Sequence, residues 1–266
     1  MIKSIIHFGC EDIPVVATAI HHGHDLPPEL EESCGISPAQ RLREEDPYTG
    51  LIAAQYPNHI VVHTSRFAVD LNRREDKCVY RLPDDCWGLP VRKTPLAAGL
   101  VEELHSAYRD WYALLAFQVE RMLRKHRYLI VLDLHSYNHR RHGINHPPEA
   151  QQENPDINLG SSNIPRDQLF YLMRLQEMLK DSDPTLGFLD CRTDIKFTGG
   201  HLVRWLHQMY PHRVIAPAVE FKKFFMDEWT GVLDESCFQR LSAEFIGLSR
   251  SWADETLDRL NGRSHE

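Results

Sequence analysis

The run YLIVLDLHS at residues 128–136 decides how this chain is read. A strand that is apolar at successive positions has no water-facing side, so it belongs inside a sheet covered on both faces. Upstream of it, Leu100, Leu104, Tyr108, Trp111, Leu115, Val119 and Met122 recur at steps of four, four, three, four, four and three, the period of one helix face. A long helix feeding a buried strand is the repeating unit of a parallel α/β sheet. Asp133 and His135 end the run two residues apart, so both project to one face while Leu134 faces the other.

Working outward, Val15–Ile20 is a second short β-prone run, and it ends directly in His21-His22-Gly23-His24. His59–His63 reads as another strand, with Arg66–Leu71 continuing extended. Val214–Val219 reads as a strand ending at Glu220, and Pro217 within it argues for a sheet edge or a bulge. Residues 77–96 and 137–164 carry no periodicity and are expected as loops, the second shaping specificity through His139, Arg140, Arg141 and His142 or simply forming a solvated basic surface. Further helices are expected after Pro165 (Leu169, Leu172, Leu175, Leu179), after Thr198-Gly199-Gly200 (Leu202, Trp205, Leu206, Met209) and near the C-terminus (Phe238, Leu241, Phe245, Leu248, Trp252). One domain over residues 1–266 accommodates all of this.

The chain carries 42% hydrophobic and 26% charged residues, a globular balance, and a formal charge of −8. No global positive field draws it to nucleic acid or to an anionic bilayer. The opening MIKSIIHFGCEDIP is too short and too soon interrupted for a secretion signal, and no stretch approaches the ~20 apolar residues of a membrane helix, so a cytoplasmic protein is expected. Six scattered cysteines without a CxxC pair favour free thiols and disfavour a cysteine zinc site. The excess is in histidine, with sixteen residues.

Ligands of α/β sheets lie beyond the carboxyl ends of the strands, where His21 and His24, Asp133 and His135, and Glu220 all fall. A single histidine is more often a core or surface residue, but three imidazoles with an open position for water make a catalytic zinc site. His22, paired with Asp25, is an alternative to His21. Glu220 among apolar neighbours has the surroundings of a general base, or else forms a salt bridge with Lys222 or Lys223. Arg66, Asn72 and Arg73 stand in one short stretch, and a guanidinium can hold a carboxylate through two parallel hydrogen bonds or stabilise an oxyanion. Arg74 reads instead as a surface partner of Glu75 and Asp76, and Glu44-Glu45-Asp46-Pro47 as a solvated turn.

In order along the chain, AIHHGHDLPPEL (19–30), SRFAVDLNR (65–73), LDLHS (132–136), FTGGHLVR (197–204) and AVEFKKFFMDE (218–228) resemble the N-formylglutamate amidohydrolase family, a likeness spanning roughly residues 15–230. That family looks like a relative of zinc carboxypeptidases and of the aspartoacylase group. The resemblance implies a three-layer α/β fold of the zinc-carboxypeptidase-like (phosphorylase/hydrolase-like) kind, a mixed, mostly parallel sheet flanked by helices. It implies one divalent ion, zinc (Zn2+), on His21, His24 and His135, with Asp46 or Asp25 able to replace His24 because the wider group has glutamate there. Glu220 would be the base, Arg66 would polarise the amide carbonyl, and Asn72 and Arg73, with Asp46 nearby, would bind a small acyl amino acid by its carboxylate. A carboxypeptidase-like peptidase and a non-catalytic metal or small-ligand binding protein are the competing readings.

Overall fold

The structure, a computed structural model, describes residues 1–180 and 189–262. Numbered in chain order, its strands are β1 (Ser4–Phe8), β2 (Val15–Ala19), β3 (Asn58–Val62), β4 (Leu129–Tyr137), β5 (Ile157–Gly160), β6 (Cys191–Thr193), β7 (Val214–Ile215) and β8 (Ala218–Lys222). They form one sheet in the order β1-β3-β2-β4-β8-β5-β6, with β7 pairing the early part of β4. The middle of the sheet is parallel, from β3 through β2 and β4 to β8, while β1 and β5 join antiparallel to β3 and β8. β4 is central and buried at all of its positions, as its unbroken apolar run requires.

Helices cover both faces: α4 (Ala98–Lys125) and α6 (His201–Met209) on one, α3 (Thr49–Ala53), α5 (Leu169–Lys180) and α7 (Glu235–Leu260) on the other, with α1 (Pro28–Ser33) and α2 (Pro38–Glu44) in the connection from β2 to β3. Alternate residues of β4 serve the two layers. Leu129 and Val131 pack with Leu104, Tyr108, Trp111 and Leu115 of α4, whereas Ile130, Leu132 and Leu134 pack with Leu172, Leu175 and Leu179 of α5 and Phe245 of α7. The result is a three-layer α/β arrangement in which period-two strand faces meet period-3.6 helix stripes.

Three expectations change. Arg66–Leu71 is not extended: the Ala68 N–H donates to Ser65 O at 2.9 Å and the Arg73 N–H to Asp70 O at 3.2 Å, so successive turns fold the segment onto the sheet's end. The supposed loop 137–164 contains β5, a four-residue strand whose Asn158 Oδ1 accepts backbone N–H groups of Ile195 and Lys196 at 3.0 and 2.8 Å. Pro217 lies at no edge. It breaks one strand line into β7 and β8, both beside β4, and the Ala216 N–H left at the break donates to His207 Nε2 at 3.1 Å.

Candidate active site

β2 and β4 run parallel with Thr18 opposite Asp133, so the chain just past β2 and the end of β4 emerge side by side. That register brings His21 next to His135, their ring centres 4.9 Å apart and nearly edge-on. Asp46 enters from the turn after α2, where its N–H donates to His21 O at 2.9 Å. Its Oδ2 lies 2.9 Å from His135 Nδ1 and 3.4 Å from His21 Nδ1. All three side chains are buried, and one ligand atom from each lies within 4.8 Å of the others.

The outer nitrogens are fixed by other carboxylates. His21 Nε2 meets Asp70 Oδ1 at 2.7 Å, and His135 Nε2 meets Asp133 Oδ2 at 3.0 Å, with the other Asp133 oxygen accepting Thr18 Oγ1 at 2.8 Å. Carboxylates behind both rings orient them with Nδ1 inward, the arrangement that makes imidazoles good metal ligands. The electrostatics agree. Burial by itself would raise the pKa of Asp46, but the hydrogen bond from His135 and the nearby His21 imidazole hold it well below the carboxylate range. Burial would lower His135, yet Asp133 and Asp46 outweigh it and push the imidazole up. Such a pocket stabilises positive charge. His21 Nδ1 is buried without a hydrogen-bond partner, and two nitrogens plus a carboxylate oxygen are donors suited to zinc, so the residues fit a divalent ion.

His24 does not join this group. Beyond Gly23 the backbone stays extended: the Asp25 N–H donates to His63 O at 2.9 Å and the Ser65 N–H to Asp25 O at 2.8 Å, so His24 is not wrapped back towards His21. A Cβ on Gly23 would come within 2.1 Å of His63 backbone atoms, so only glycine permits this close passage. His24 Nδ1 pairs with the buried Glu45 instead, and its side chain is 39% exposed. His22 packs beside His63, where burial lowers its pKa to about 4, and Asp25 pairs with Lys3 at the surface. Asp46, expected beside the substrate or else in the place of His24, is the third member of the His21–His135 cluster.

Glu220 lies inside β8 rather than at its end, directly opposite His135 in the β4–β8 register. Its carboxylate lines the cavity and has no hydrogen bond or ion pair among the described residues, and burial raises its pKa to about 7. The salt-bridge alternative fails because Lys222 pairs with Asp156 and Lys223 is spent elsewhere. Lys223 Nζ donates to Arg43 O, Glu45 O and Asn138 Oδ1 at 2.6, 2.7 and 3.1 Å, a cage that secures the turn carrying Asp46.

Asp70 is the residue the sequence reading passed over. One oxygen receives His21 Nε2 and the Asn72 N–H, and the other receives Arg66 Nη2 at 2.9 Å and the Tyr80 hydroxyl. It thereby ties His21 to Arg66. An acid flanked by Val69 and Leu71, between two arginines, is the signal that could have found it. Asn72 Oδ1 accepts the Leu202 N–H of α6 at 3.1 Å, and a Cβ at Gly200 would meet that oxygen at 2.1 Å, so glycine is required there. Arg73 is partly exposed, its Nε 3.8 Å from Asp70.

These groups open onto a cavity of about 550 Å³ whose walls also hold Arg74, Lys77, Trp87, Arg141, Lys196 and Arg204. Although the chain is net −8, lysines and arginines outnumber aspartates and glutamates in the lining of this cavity, and they focus a local field that attracts anions.

A mixed α/β sheet presenting two histidines, an aspartate and a glutamate without a partner among the described residues, in a cavity rich in cations, defines a hydrolase-like site. The sequence matches the N-formylglutamate amidohydrolase family over residues 13–224, and the chain belongs to that family, which makes it an enzyme of the amidohydrolase class. It is similar in structure to an N-formylglutamate amidohydrolase from Ralstonia eutropha JMP134, with a TM-score of 0.74 at 18% identity, covering 97% of this chain and 98% of that one. A gene product from Agrobacterium tumefaciens gives a TM-score of 0.59 at 14% identity, covering 93% and 95%. A metallo-carboxypeptidase from Burkholderia cenocepacia scores 0.39 at 12% identity, too low to bear on the fold. No curated protein matches the sequence. Among the described residues no helix is long and apolar enough to cross a membrane.

Proposed function

We propose that this enzyme hydrolyses the amide bond of an N-formyl or other small N-acyl amino acid bearing a free carboxylate, N-formylglutamate being the reference substrate, with zinc held by His21, Asp46 and His135. The observation that carries the reading is the convergence of these three buried groups with the unpaired Glu220 in one cation-lined cavity. When bound, zinc supplies Lewis acidity and makes water a stronger acid.

The chain's own groups account for the remaining work. Glu220, with a pKa raised to about 7, takes a proton from the attacking water and delivers it to the departing amine nitrogen as the C–N bond breaks. Arg66 donates to the acyl oxygen as that atom gains negative charge, and Asp70 holds its guanidinium in place. Arg73 and Asn72 grip the substrate carboxylate, fixing the amide against Glu220. Asp70 and Asp133 keep the two imidazoles aimed inward, and Lys223 keeps Asp46 between them.

The test combines metal titration of chelator-treated protein with formate release from N-formylglutamate, alongside N-acetylglutamate and short peptides. One equivalent of zinc is expected to restore hydrolysis of the N-acyl amino acids and to leave peptides untouched. Failure to hydrolyse any N-acyl amino acid in the zinc-loaded state overturns the proposal, and preference for peptides replaces it with a peptidase.

A further inference from the structure

Trp87 is out of place by ordinary rules of burial and backbone geometry. It is 53% exposed, although large aromatic side chains gain most by being covered. Its φ is +50° and that of Gly88 is +83°, with the Leu89 N–H donating to Cys86 O at 2.8 Å to close a two-residue turn. Turns with positive φ at both central residues favour Asn-Gly or Gly-Gly, so an indole at the first position is strained. The turn is nevertheless firmly anchored. Cys86 is fully buried, and Arg92 beyond it donates to Tyr80 O and Phe67 O at 2.9 and 2.7 Å.

The indole forms part of the cavity wall, and the Arg66 guanidinium lies 4.9 Å from its ring centre. Trp87 is thus an apolar surface beside Arg66 in a cavity otherwise walled largely by charged and polar side chains. We propose that Trp87 bounds the acyl side of the substrate site and selects for short acyl groups. The inference rests on the proposed amide hydrolysis, in which Arg66 faces the acyl oxygen: whatever substituent that carbonyl carries then lies near the indole, while Arg73 and Asn72 hold the opposite end. A rigid ring on an anchored turn leaves room for hydrogen or methyl there and obstructs a longer chain.

The experiment measures kcat/KM for release of glutamate from its N-formyl, N-acetyl, N-butyryl and N-hexanoyl derivatives by the zinc-loaded wild type, W87F and W87A. All four substrates share the leaving amine and both carboxylates, so only the acyl end varies. The wild type is expected to favour formyl and acetyl, and W87A to move the hexanoyl-to-formyl ratio by about tenfold or more towards hexanoyl, the discrimination that one or two methylenes can provide. W87F, which keeps a flat ring, is expected to hold the wild-type order. A ratio unchanged in W87A, with all substrates altered alike, overturns the assignment of Trp87 while leaving amide hydrolysis standing. A wild type that releases glutamate from none of the four overturns the reading beneath it, and the assignment falls with it.

Discussion

Replacing His207 with glutamine probes the break in the central strand line through its pH dependence. His207 is 7% exposed on α6, and its Nε2 accepts the Ala216 N–H that the interruption at Pro217 leaves without a strand partner. Protonating that nitrogen would bury a charge and destroy the acceptor together, and burial lowers the pKa from 6.5 to about 4. In the unfolded chain the ring takes its proton near 6.5, so between these two values the unfolded state binds more protons and stability rises with pH. The contribution is complete above the unfolded value and is lost as pH falls towards the folded one. A fall from 6.5 to about 4 corresponds to about 3 kcal/mol. Glutamine can still accept from Ala216 but does not titrate. Urea unfolding of wild type and H207Q at about pH 7.5 and about pH 4.5 should therefore show the wild type's advantage shrinking by about 2–3 kcal/mol at the lower pH. His22, depressed for the same reason, is present in both proteins and cancels. Parallel loss of stability in the two proteins would refute the argument that His207 is held neutral by its place in the fold.

Glu220→Gln should lower turnover by roughly two orders of magnitude or more while zinc content stays unchanged; retained turnover would remove Glu220 from proton transfer. Asp46→Asn should weaken zinc binding by about 10–100-fold or more, whereas His24→Ala should leave it nearly intact, both read by competition with a chromogenic chelator. The reverse pattern would return the third ligand to His24. Arg73→Ala should reduce kcat/KM for a substrate with a free α-carboxylate by roughly tenfold or more beyond any loss on its α-amide, and equal losses would argue against carboxylate recognition.

What was legible in the sequence was whatever a single element encodes. β4 could be read because a central strand is apolar at successive positions, and α4 because its buried stripe keeps the helical period. His21, His135 and Glu220 stood out for the same reason, each ending or following an apolar run. β5 was hidden because INLG is short and carries a polar residue, and its extended form comes from pairing with β8 and β6 rather than from its own preference. The choice between His24 and Asp46 was hidden more deeply. Spacing suggested that two histidines around a glycine share a turn, but Gly23 runs extended against His63, and that path carries His24 away to Glu45. Asp46 lies beside the two imidazoles because its own N–H reaches His21 O and because Lys223, three residues beyond Glu220, grips the carbonyl just before it. The turn that directly follows the strand bearing the proposed base therefore also secures the proposed metal ligand. A shift of β8 against β4 would move both groups at once, which ties the integrity of the site to the register of two central strands rather than to the flexibility of the loop from which Asp46 comes.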